Sequence, residues 1–491
     1  MELTRNLLVL MCIGVACVVH STAQICPYKA ETCQCAGDFV ECSGLRDIPP
    51  VITGTNVTRI KTASFVRGNI TTVTKNSLPQ GLQELYFSNQ PLVQIDNNSL
   101  DNSADSLYFI EITQANLTAL PAALLKLTNL SILYIDGSPI QKLDLAVLQH
   151  IGIKLTELHL KNVGITGNVD WLSNFSVLRI LDLSENNRII VPDTFLSSVR
   201  STLRELSLAS VGLTALPPGL LSLDNLDKLD LSGNKMNSSE INKLLAIPSL
   251  SKLSSLSLNS VGLEHTFNFS SLKNLTTLDL ENNNISNPNE GLLPPSLSSL
   301  SLAANNLTSI ATVVLGLTNL YRLDLSHNQI TTIPNATFAN LTRLTKLYLN
   351  NNPIKTISAR GFSGLVSLDY FYIGFTNLTE IPVALSDLSN PTLHINIEGI
   401  PALSCPCQRS QELDTWFSKH NSSLFFTGYC SSSQSLDRYF VQGCIIPSET
   451  TTTVPISSTK GTGNAPVLEI SSSCTFVSLL LFLSQIFAGL Y

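Results

Sequence analysis

Apolar and polar residues alternate along most of the chain in one recurring pattern, LxxLxLxxNxL, in which x is mostly polar. The LxL part has the two-residue period of a short β-strand, as in Leu323-Asp324-Leu325, where the two leucines point to one face and Asp324 to the other. Successive copies begin 22 to 27 residues apart. Their first positions are Leu82, Leu107, Leu130, Leu155, Leu178, Leu203, Leu226, Leu253, Leu275, Leu297, Leu320, Leu344 and Leu368.

This spacing matches the period of about 20 to 29 residues of leucine-rich repeats, in which each coil adds one strand to a continuous parallel sheet. With degenerate units around Ile60 and around Leu393 and Ile395, residues 56–400 hold about fifteen coils. One coil cannot bury its leucines alone, so the stack needs a cover at each end. We therefore predict an α/β solenoid, a leucine-rich-repeat horseshoe with a parallel concave sheet and disulfide-bonded caps at both ends.

A buried asparagine should follow each strand, because a side-chain amide satisfies the backbone groups that are freed where the coil leaves the sheet. In the middle of the chain Val163, Val211 and Val261 take this position in alternate coils, which indicates a duplicated unit of two coils. The section from Leu275 to Leu368 should be the more regular half. Asparagine stands at Asn186, Asn234, Asn283, Asn305, Asn328 and Asn352.

Composition narrows the class of protein. Charged residues make up 13% of the chain, the net charge is -7, and no long apolar run occurs between residues 25 and 470. These values exclude a polybasic nucleic-acid binder and a protein with several membrane spans. The sequence contains no phosphate-binding loop, nucleophile elbow or metal motif, so we expect no cofactor and no metal.

Residues 1–23 have the features of a secretory signal peptide. Arg5 precedes the apolar run from Leu7 to Val19, and the small residues Ser21 and Ala23 follow. An N-terminal membrane anchor is the alternative, but the apolar stretch is short for a membrane span. We therefore expect secretion through the endoplasmic reticulum.

A second apolar stretch runs from Phe476 to Tyr491 with no basic residue after it, whereas cytoplasmic Lys or Arg normally follows a retained membrane helix. Small residues and a polar spacer precede the stretch, which is the layout of a glycosylphosphatidylinositol (GPI) signal. We expect residues 467–491 to be removed and the protein to be anchored at the outer face of the plasma membrane through Gly461, Gly463 or Asn464. A single transmembrane tail is the alternative. Residues 447–466 are rich in Thr and Ser and should form an O-glycosylated stalk.

Eight of the eleven cysteines form two groups of four between the signal and the tail. Even numbers at both ends of a secreted chain indicate disulfides, because the compartment is oxidising. Zinc is the alternative, but neither group has paired C-x-x-C spacing or a histidine in ligand register. The groups place caps at residues 24–55 and 401–446. They are Cys26, Cys33, Cys35 and Cys42, and Cys405, Cys407, Cys430 and Cys444.

Two cysteine motifs carry a family resemblance. They are Cys33-x-Cys35 followed by Phe39-Val40-Glu41-Cys42, and Cys405-x-Cys407 followed by Trp416 and Phe417. They resemble the caps of animal extracellular leucine-rich-repeat proteins such as Slit, Toll-type ectodomains, variable lymphocyte receptors and Nogo receptors. The six-residue gap before Cys33, and Gly399-Ile400-Pro401 in place of the usual Asn-Pro-Trp, depart from that pattern and leave the individual family and the ligand open. The resemblance implies the bonds Cys26 to Cys35, Cys33 to Cys42, Cys405 to Cys430 and Cys407 to Cys444.

The solvent-facing strand position forms one column along the sheet, and a serine, a histidine and an aspartate occur in it. His159 and Asp182 lie on neighbouring coils, but Ser207 is two coils from His159 and strands lie about 4.8 Å apart. Catalysis needs such groups to converge in a pocket, so we predict that the protein is not an enzyme. The column is Tyr86, Glu111, Tyr134, His159, Asp182, Ser207, Asp230, Ser257, Asp279, Ser301, Asp324, Tyr348, Tyr372 and His394.

A broad, curved sheet suits recognition of a protein or glycan better than of a small molecule. The centre of the column carries Ser and Asp, as a solvated strand face does by default, whereas both flanks carry aromatic residues of the kind enriched at interfaces. The alternative is that these rings only pack over the adjacent caps. The predicted ligand-binding residues are Tyr86, Phe109, Tyr134 and His159 on the N-terminal flank and Tyr321, Tyr348, Tyr370, Tyr372 and Phe375 on the C-terminal flank.

Fifteen Asn-x-Ser/Thr sequons predict a glycoprotein, and none occupies an outward strand position. Asn116, Asn284, Asn306 and Asn377 share the position after the ladder site and should line one flank. Either the concave face is kept bare for a partner, or strands simply contain few asparagines. The acceptors are Asn56, Asn69, Asn97, Asn116, Asn129, Asn174, Asn237, Asn268, Asn274, Asn284, Asn306, Asn335, Asn340, Asn377 and Asn421.

Two function classes remain. The first is a GPI-anchored recognition or adhesion receptor that binds an extracellular protein or glycan on its concave face and signals only through a co-receptor. The second is a structural coat or matrix protein that self-associates through its solenoid. Aromatic flanks around a polar centre favour the first class, and we expect no nucleic-acid partner.

Overall fold

The computed structural model describes residues 25–442, apart from 55–56, 142, 193, 266–267, 287–291 and 421–423. The predicted signal peptide, stalk and GPI signal lie outside the described residues, as do the sequons at Asn56 and Asn421 and the cysteine Cys444. None of the helices in the described part of the chain has the length and apolar character that a membrane span requires.

One long sheet organises the molecule, and the predicted solenoid fold is confirmed. Fifteen repeat strands pair in parallel and in chain order. The inward apolar residues of each strand are aligned with their counterparts one coil away. The strands are Thr62–Val66, Glu84–Ser88, Phe109–Thr113, Ile132–Asp136, Glu157–His159, Ile180–Asp182, Glu205–Ser207, Lys228–Asp230, Ser255–Ser257, Thr277–Asp279, Ser299–Ser301, Arg322–Asp324, Lys346–Tyr348, Tyr370–Tyr372 and His394–Asn396.

Three more strands from the terminal segments extend the sheet to eighteen strands in the described part of the chain. Cys33–Ala36 and Phe39–Ser43 form an antiparallel hairpin, and the second of these strands pairs in parallel with Thr62–Val66. At the other end Phe425–Thr427 pairs in parallel with His394–Asn396. The sheet edge of the repeats is thus covered at both ends by strands from the cysteine-containing segments.

The return segments are short and varied. Two α-helices, α1 (Leu145–Gly152) and α2 (Ser238–Leu245), lie in the repeats, while α3 (Gln411–His420) and α4 (Leu436–Gln442) lie in the C-terminal segment. The 3₁₀ helices are Asp101–Ser103, Ala122–Lys126, Asp170–Asn174, Pro218–Ser222, Pro248–Lys252 and Val383–Asp387. Two-stranded sheets join Thr72–Val73 to Gln94–Ile95, Thr166–Asn168 to Arg188–Ile190 and Thr332–Ile333 to Thr356–Ile357.

The core is one continuous stack of apolar side chains. All thirteen leucines at the first pattern position are buried, as is the apolar residue at the centre of each three-residue repeat strand and at the second position of each five-residue one. Residues on either side of it are partly exposed in most strands, which is the alternation that the sequence predicts. The inward side chains therefore form the core and the outward ones form the concave face.

The predicted asparagine ladder is present, and each amide serves two coils. The Nδ2 of Asn186 donates to the carbonyls of Leu160 and Leu183, both at 2.8 Å, and its Oδ1 accepts from the backbone N–H of Val163 and Ile165. Because the amide reaches back one coil, it satisfies the valine coil that precedes it. The same arrangement recurs at Asn234, Asn283, Asn305, Asn328 and Asn352.

The N-terminal segment is held together by disulfides and is joined to the first coils by a hydrogen bond and an aromatic contact. Bonds join Cys26 to Cys35 and Cys33 to Cys42, as the family resemblance implies. Tyr28 is buried, donates its hydroxyl to the carbonyl of Ser77 at 2.8 Å, and packs edge-on against Phe65. The apolar edge of the first coil is therefore shielded from water.

The C-terminal segment covers the last coil with α3. Trp416 and Phe417 are buried, and the indole N–H of Trp416 donates to the carbonyl of Leu388 in the last 3₁₀ turn. The predicted bond between Cys405 and Cys430 is present. The fourth predicted bond joins Cys407 to Cys444, and Cys444 lies outside the described residues.

Candidate functional site

The outward side chains of the sheet line up in columns, because the strands pair in register. Tyr86, Glu111, Tyr134, His159 and Asp182 are consecutive members of the main column. All of them are partly exposed on the concave face. Side chains that are about 24 residues apart in sequence are therefore immediate neighbours in space.

One member of the predicted column is wrong. His394 pairs with Tyr370, and Asn396 takes the place beside Tyr372. The last coil has a single residue between Leu393 and Ile395, whereas other coils have two residues between the corresponding apolar positions. Since strand residues alternate between faces, this shortening moves His394 into the adjacent outward column.

On the N-terminal flank the structure brings all four predicted binding residues into one row. Ring centroids lie 4.9 Å apart for Tyr86 and Phe109, 5.7 Å for Phe109 and Tyr134, and 3.8 Å for Tyr134 and His159. The last two rings are nearly parallel, at 8°. Each ring packs on the ring of a neighbouring coil, so the row presents ring edges and hydroxyl groups to a partner rather than open ring faces.

The C-terminal flank has two stacks of rings. Tyr348 lies 4.8 Å from Tyr372, and Tyr370 lies 5.0 Å from His394, which in turn stacks on Phe425 of the C-terminal segment at 4.6 Å. The Tyr370 stack therefore does run onto the cap, in line with the alternative for this flank. Phe425 is a member of this stack that the sequence pattern did not predict, and its side chain is largely exposed.

Basic side chains lie against these stacks. The guanidinium of Arg322 sits 4.5 Å from the ring centroid of Tyr348, and the ammonium of Lys346 sits 5.5 Å from that of Tyr370. The other two predicted residues, Tyr321 and Phe375, are 47% and 58% exposed and stand outside the stacks. The C-terminal flank thus combines exposed aromatic area with basic side chains.

The centre of the face carries a feature that the sequence analysis treated as a default polar surface. Asp182, Asp230, Asp279 and Asp324 occur on every second strand, with a serine between successive aspartates. In each of the four, Oδ1 accepts the backbone N–H two residues further on, at 2.8 to 3.1 Å. One carboxylate oxygen thus holds the strand end, and the second oxygen of Asp324 accepts a hydrogen bond from Arg322 at 3.0 Å. Alternation of Asp and Ser in the strand motif was the signal that could have revealed this column.

Partial burial and like charge act together on one carboxylate of this column, that of Asp279. Burial raises the pKa of Asp279, and the charges of Asp230 and Asp324 raise it further. Burial also raises the pKa of Glu111, with a contribution from Asp136. Negative charge is therefore concentrated in a partly desolvated strip, where an incoming cation would relieve the repulsion.

Asp182 behaves differently, because it has a partner. Burial acts to raise its pKa, but the electrostatic attraction of His159 and hydrogen bonds from Ser184 outweigh burial, and the net result is a lowered pKa. The Nδ1 of His159 lies 3.8 Å from the carboxylate, while its Nε2 is buried without a hydrogen-bond partner among the described residues. The hydroxyl of Ser207 lies 2.6 Å from that of Ser184. The serine, aspartate and histidine are therefore not arranged as a nucleophile with its base.

The glycan acceptors are distributed as the sequence predicts. All thirteen acceptor asparagines that the structure describes are exposed, and none lies on an outward position of the main sheet. The ladder asparagines are buried or nearly so. Exposure therefore separates acceptor asparagines from structural ones and leaves the concave face clear.

Two clefts flank the C-terminal segment rather than the concave sheet. One of about 420 Å³ lies between the last coils and Arg409, and another of about 480 Å³ lies beside Trp416 and His420. Within the described ranges, no group of three or more His, Cys, Asp or Glu side chains could hold a metal ion.

Comparison with known proteins defines the class. A leucine-rich-repeat profile matches residues 295–354, 318–378 and 342–390, and a second leucine-rich-repeat profile matches residues 274–300. These residues are the section that was expected to be the more regular half. Together with the strand pairing, these matches define the fold as a leucine-rich-repeat solenoid, and proteins with these repeats are generally scaffolds for protein binding and recognition.

Among curated proteins, the chain is 28% identical over 228 residues to the volume-regulated anion channel subunit LRRC8A of Homo sapiens, which covers 45% of this chain and 27% of that protein. It is 39% identical over 84 residues to decorin of Canis lupus familiaris, which covers 17% of this chain and 23% of decorin. The chain thus spans about a quarter of the length of the curated relatives it matches.

Among solved structures, an internalin of Listeria monocytogenes aligns with a TM-score of 0.49 and 23% identity, over 62% of this chain and 85% of the internalin. The TLR13–ssRNA13 complex aligns with a TM-score of 0.48 and 20% identity, over 70% of this chain and 63% of that chain. Because both TM-scores are below 0.5, the fold assignment rests on the strand pairing and the repeat matches.

Proposed function

We propose that this protein is a cell-surface recognition or adhesion receptor that binds an extracellular protein or glycan on its concave face. The observation that carries the proposal is the contrast between the faces of the solenoid. Thirteen described acceptor asparagines are exposed, yet the concave sheet has none and instead carries the aromatic rows and the carboxylate column. A face without glycans and with exposed aromatic residues suits a binding partner.

The extracellular part of the proposal is supported by the cysteines. Disulfides at the two ends of the solenoid, as in the bonds that the structure describes, are typical of proteins that fold in an oxidising compartment. We further propose that the cysteine segments are caps of the extracellular leucine-rich-repeat type. A GPI anchor at Gly461, Gly463 or Asn464 would hold the protein at the outer face of the plasma membrane, with a co-receptor carrying any signal.

The charge of the concave face bears on the alternative of a self-associating coat protein. Two copies that met face to face would bring their columns of partly desolvated carboxylates together, and like charges at short range oppose association. This repulsion favours a partner that differs from the protein itself. The receptor function is therefore preferred over the coat function.

A glycan placed on the concave face tests the proposal. Asp230→Asn creates the sequon Asn-Leu-Ser with the existing Leu231 and Ser232, and it keeps the side-chain oxygen that accepts the Ser232 N–H. Cells displaying the full chain would be probed with arrays of purified extracellular proteins and of glycans. We expect at least a tenfold loss of binding for the strongest hit, because the added glycan covers the centre of the sheet.

The matched control is Gly316→Asn, which creates Asn-Leu-Thr at the coil position that the natural acceptors Asn174 and Asn340 occupy. Gly316 has a positive φ of 78° and open space around an added Cβ, and asparagine tolerates this conformation better than most residues. This variant should bind normally. Full binding by the glycosylated Asp230→Asn protein would move the binding site off the concave sheet.

A further inference from the structure

An apolar cleft lies on the return segments of the solenoid, outside the concave sheet. It has a volume of about 210 Å³ and lies between the turns of two successive coils, at residues 311–316 and 334–341. Leu315 at its edge is 54% exposed, and Ala311 and Ala339 are exposed as well. Contact of this apolar surface with water is unfavourable, so a group that covers it would stabilise the turn.

The cleft is open because two neighbouring pairs of coils pack differently. Gly316, Asn340 and Gly364 occupy the same position in three successive coils. At Gly364 an added Cβ would lie 2.5 Å from the carbonyl oxygen of Ala339, whereas at Gly316 it would meet no atom within 4 Å. The coil of Asn340 is therefore in close contact with the coil that follows it and leaves space towards the coil that precedes it, which carries Leu315.

Two glycan acceptors, Asn335 and Asn340, line this cleft, and both are exposed. Their amides are held differently. The Oδ1 of Asn335 accepts the backbone N–H of Arg360 in the following coil at 3.0 Å. The amide of Asn340 forms no hydrogen bond within the described part of the chain. Asn340 is therefore the acceptor whose side chain is free to direct a substituent into the cleft.

The first sugar of an N-linked glycan has the chemistry that this surface lacks a partner for. That sugar is N-acetylglucosamine, joined to the amide nitrogen of asparagine. Its ring carries C–H groups on both faces, and its acetyl group ends in a methyl. These groups would contact Leu315 and the neighbouring alanines, while the sugar hydroxyls stay in water. Removal of apolar surface from water makes the contact favourable.

We propose that the glycan on Asn340 occupies this cleft and that its first sugar covers Leu315, so that the modification completes the apolar packing between two coils. The inference rests on the proposed extracellular function, because N-glycosylation belongs to the secretory route. It assigns this acceptor a structural role that is separate from partner binding on the concave face.

Leu221 offers an internal comparison. It occupies the same coil position as Leu315 and is 64% exposed. In the coil after Leu221, however, Ser249 stands at the position that Asn340 takes after Leu315. The two leucines should therefore differ in exposure in the glycoprotein, although they have similar exposure in the polypeptide alone.

Hydroxyl-radical labelling of the purified glycoprotein, followed by mass spectrometry, measures the exposure of the two leucines in one experiment. Thr342→Ala removes the Asn340 sequon, and the Thr342 hydroxyl forms no hydrogen bond within the described residues. We expect labelling of Leu315 to rise at least about twofold in this variant and labelling of Leu221 to stay unchanged. Unchanged labelling of Leu315, or an equal rise at both leucines, would overturn the proposal.

The matched control is Asn335→Asp, which removes the other acceptor in the cleft and keeps an oxygen that can accept the Arg360 N–H. It should leave the labelling of Leu315 as in the wild type. A rise equal to that of Thr342→Ala would assign the cover to the wrong glycan and contradict the inference.

Enzymatic trimming tests the role of the first sugar and does not require a variant to fold. Protein from cells that make only high-mannose glycans would be treated with an endoglycosidase that leaves one N-acetylglucosamine on each asparagine. Leu315 should remain protected after this treatment and become exposed when the glycans are removed completely from the folded protein. Equal labelling of Leu315 in the trimmed and the fully deglycosylated protein would overturn the proposal.

The outcomes separate this inference from the proposed function. An unoccupied Asn340 in a protein whose other acceptors carry glycans would overturn the inference alone, and binding on the concave face would be unaffected. A secreted protein without N-glycans at any acceptor would overturn the inference and would also remove the contrast between the faces on which the proposed function rests.

Discussion

At the scale of single residues, asparagine has two separate roles in this chain, and burial decides between them. Asn186 is buried and its amide bridges two coils, whereas the next residue, Asn187, is exposed. The residue just before the ladder site adopts a left-handed conformation in coil after coil, as at Glu185 with φ of 61° and Ala304 with φ of 51°. Each coil thus turns sharply out of the sheet, and the ladder amide stabilises the turn.

We predict that Asn186→Ala lowers the free energy of unfolding by at least about 3 kcal/mol, because several buried backbone groups would each lose their partner at about 1–3 kcal/mol. Asn187→Ala should change it by less than about 0.5 kcal/mol. Urea unfolding with disulfides intact measures both. Equal effects of the two variants would contradict the assignment of a bridging role to the ladder amide.

At the scale of elements, the strands determine which charges meet. Each aspartate of the column lies two strands from the next, so Asp279 experiences both Asp230 and Asp324. Burial is the larger influence on its pKa and acts in the same direction as these neighbours. The charged form of Asp279 is therefore less favourable in the folded chain than in the unfolded chain.

This raised pKa gives a prediction with a definite sign. The stabilising contribution of protonated Asp279 is fully present below its unfolded pKa of about 3.9 and is lost as the pH rises through the folded value. Asp279→Asn should therefore melt at a higher temperature than the wild type at pH 7, and the difference should vanish as the pH falls below about 3.9. Its side-chain oxygen still accepts the Glu281 N–H.

The control for this measurement is Asp105→Asn, at an exposed position away from the sheet, which should follow the wild-type profile. Calorimetry from pH 3 to pH 8 gives the melting temperatures. A constant difference between Asp279→Asn and the wild type across this range would show that charge at this position has no part in the effect.

At the scale of the whole molecule, the stack of coils is stable only if both ends are covered. The disulfide-bonded hairpin and Tyr28 cover one end, and α3 with Trp416 and Phe417 covers the other. Between these ends the core is continuous, so loss of either cover would expose apolar surface of the adjacent coil. The proposed anchor segment follows the second cover along the chain.

We predict that a phosphatidylinositol-specific phospholipase releases the protein from cells, because the apolar segment at residues 476–491 has small residues and a polar spacer before it. Release is measured by flow cytometry and by blotting the medium. A variant in which residues 467–491 are replaced by a known single membrane span should stay on the cells. Retention of the natural chain, with its tail peptide detected by mass spectrometry, would support the transmembrane alternative.

The repeat period, the parallel sheet, the ladder asparagines and the exposed acceptors could all be predicted from sequence. Each depends on local spacing, since an alternation of two residues defines a strand and a leucine that recurs about every 24 residues defines a coil. The aromatic residues of the N-terminal flank were also identifiable, because the LxxLxL motif keeps the outward positions of each strand at fixed distances from its first leucine.

Only the tertiary structure decided which outward side chains meet and how they are charged. Because only one residue separates Leu393 from Ile395, His394 lies beside Tyr370. This register depends on strand pairing between coils. In the sequence alone, the aspartates resemble an ordinary polar surface. Strand pairing places them in one column, and burial raises the pKa of Asp279. Local pattern fixes which face a side chain occupies, whereas contacts between residues far apart in sequence fix its neighbours and its charge.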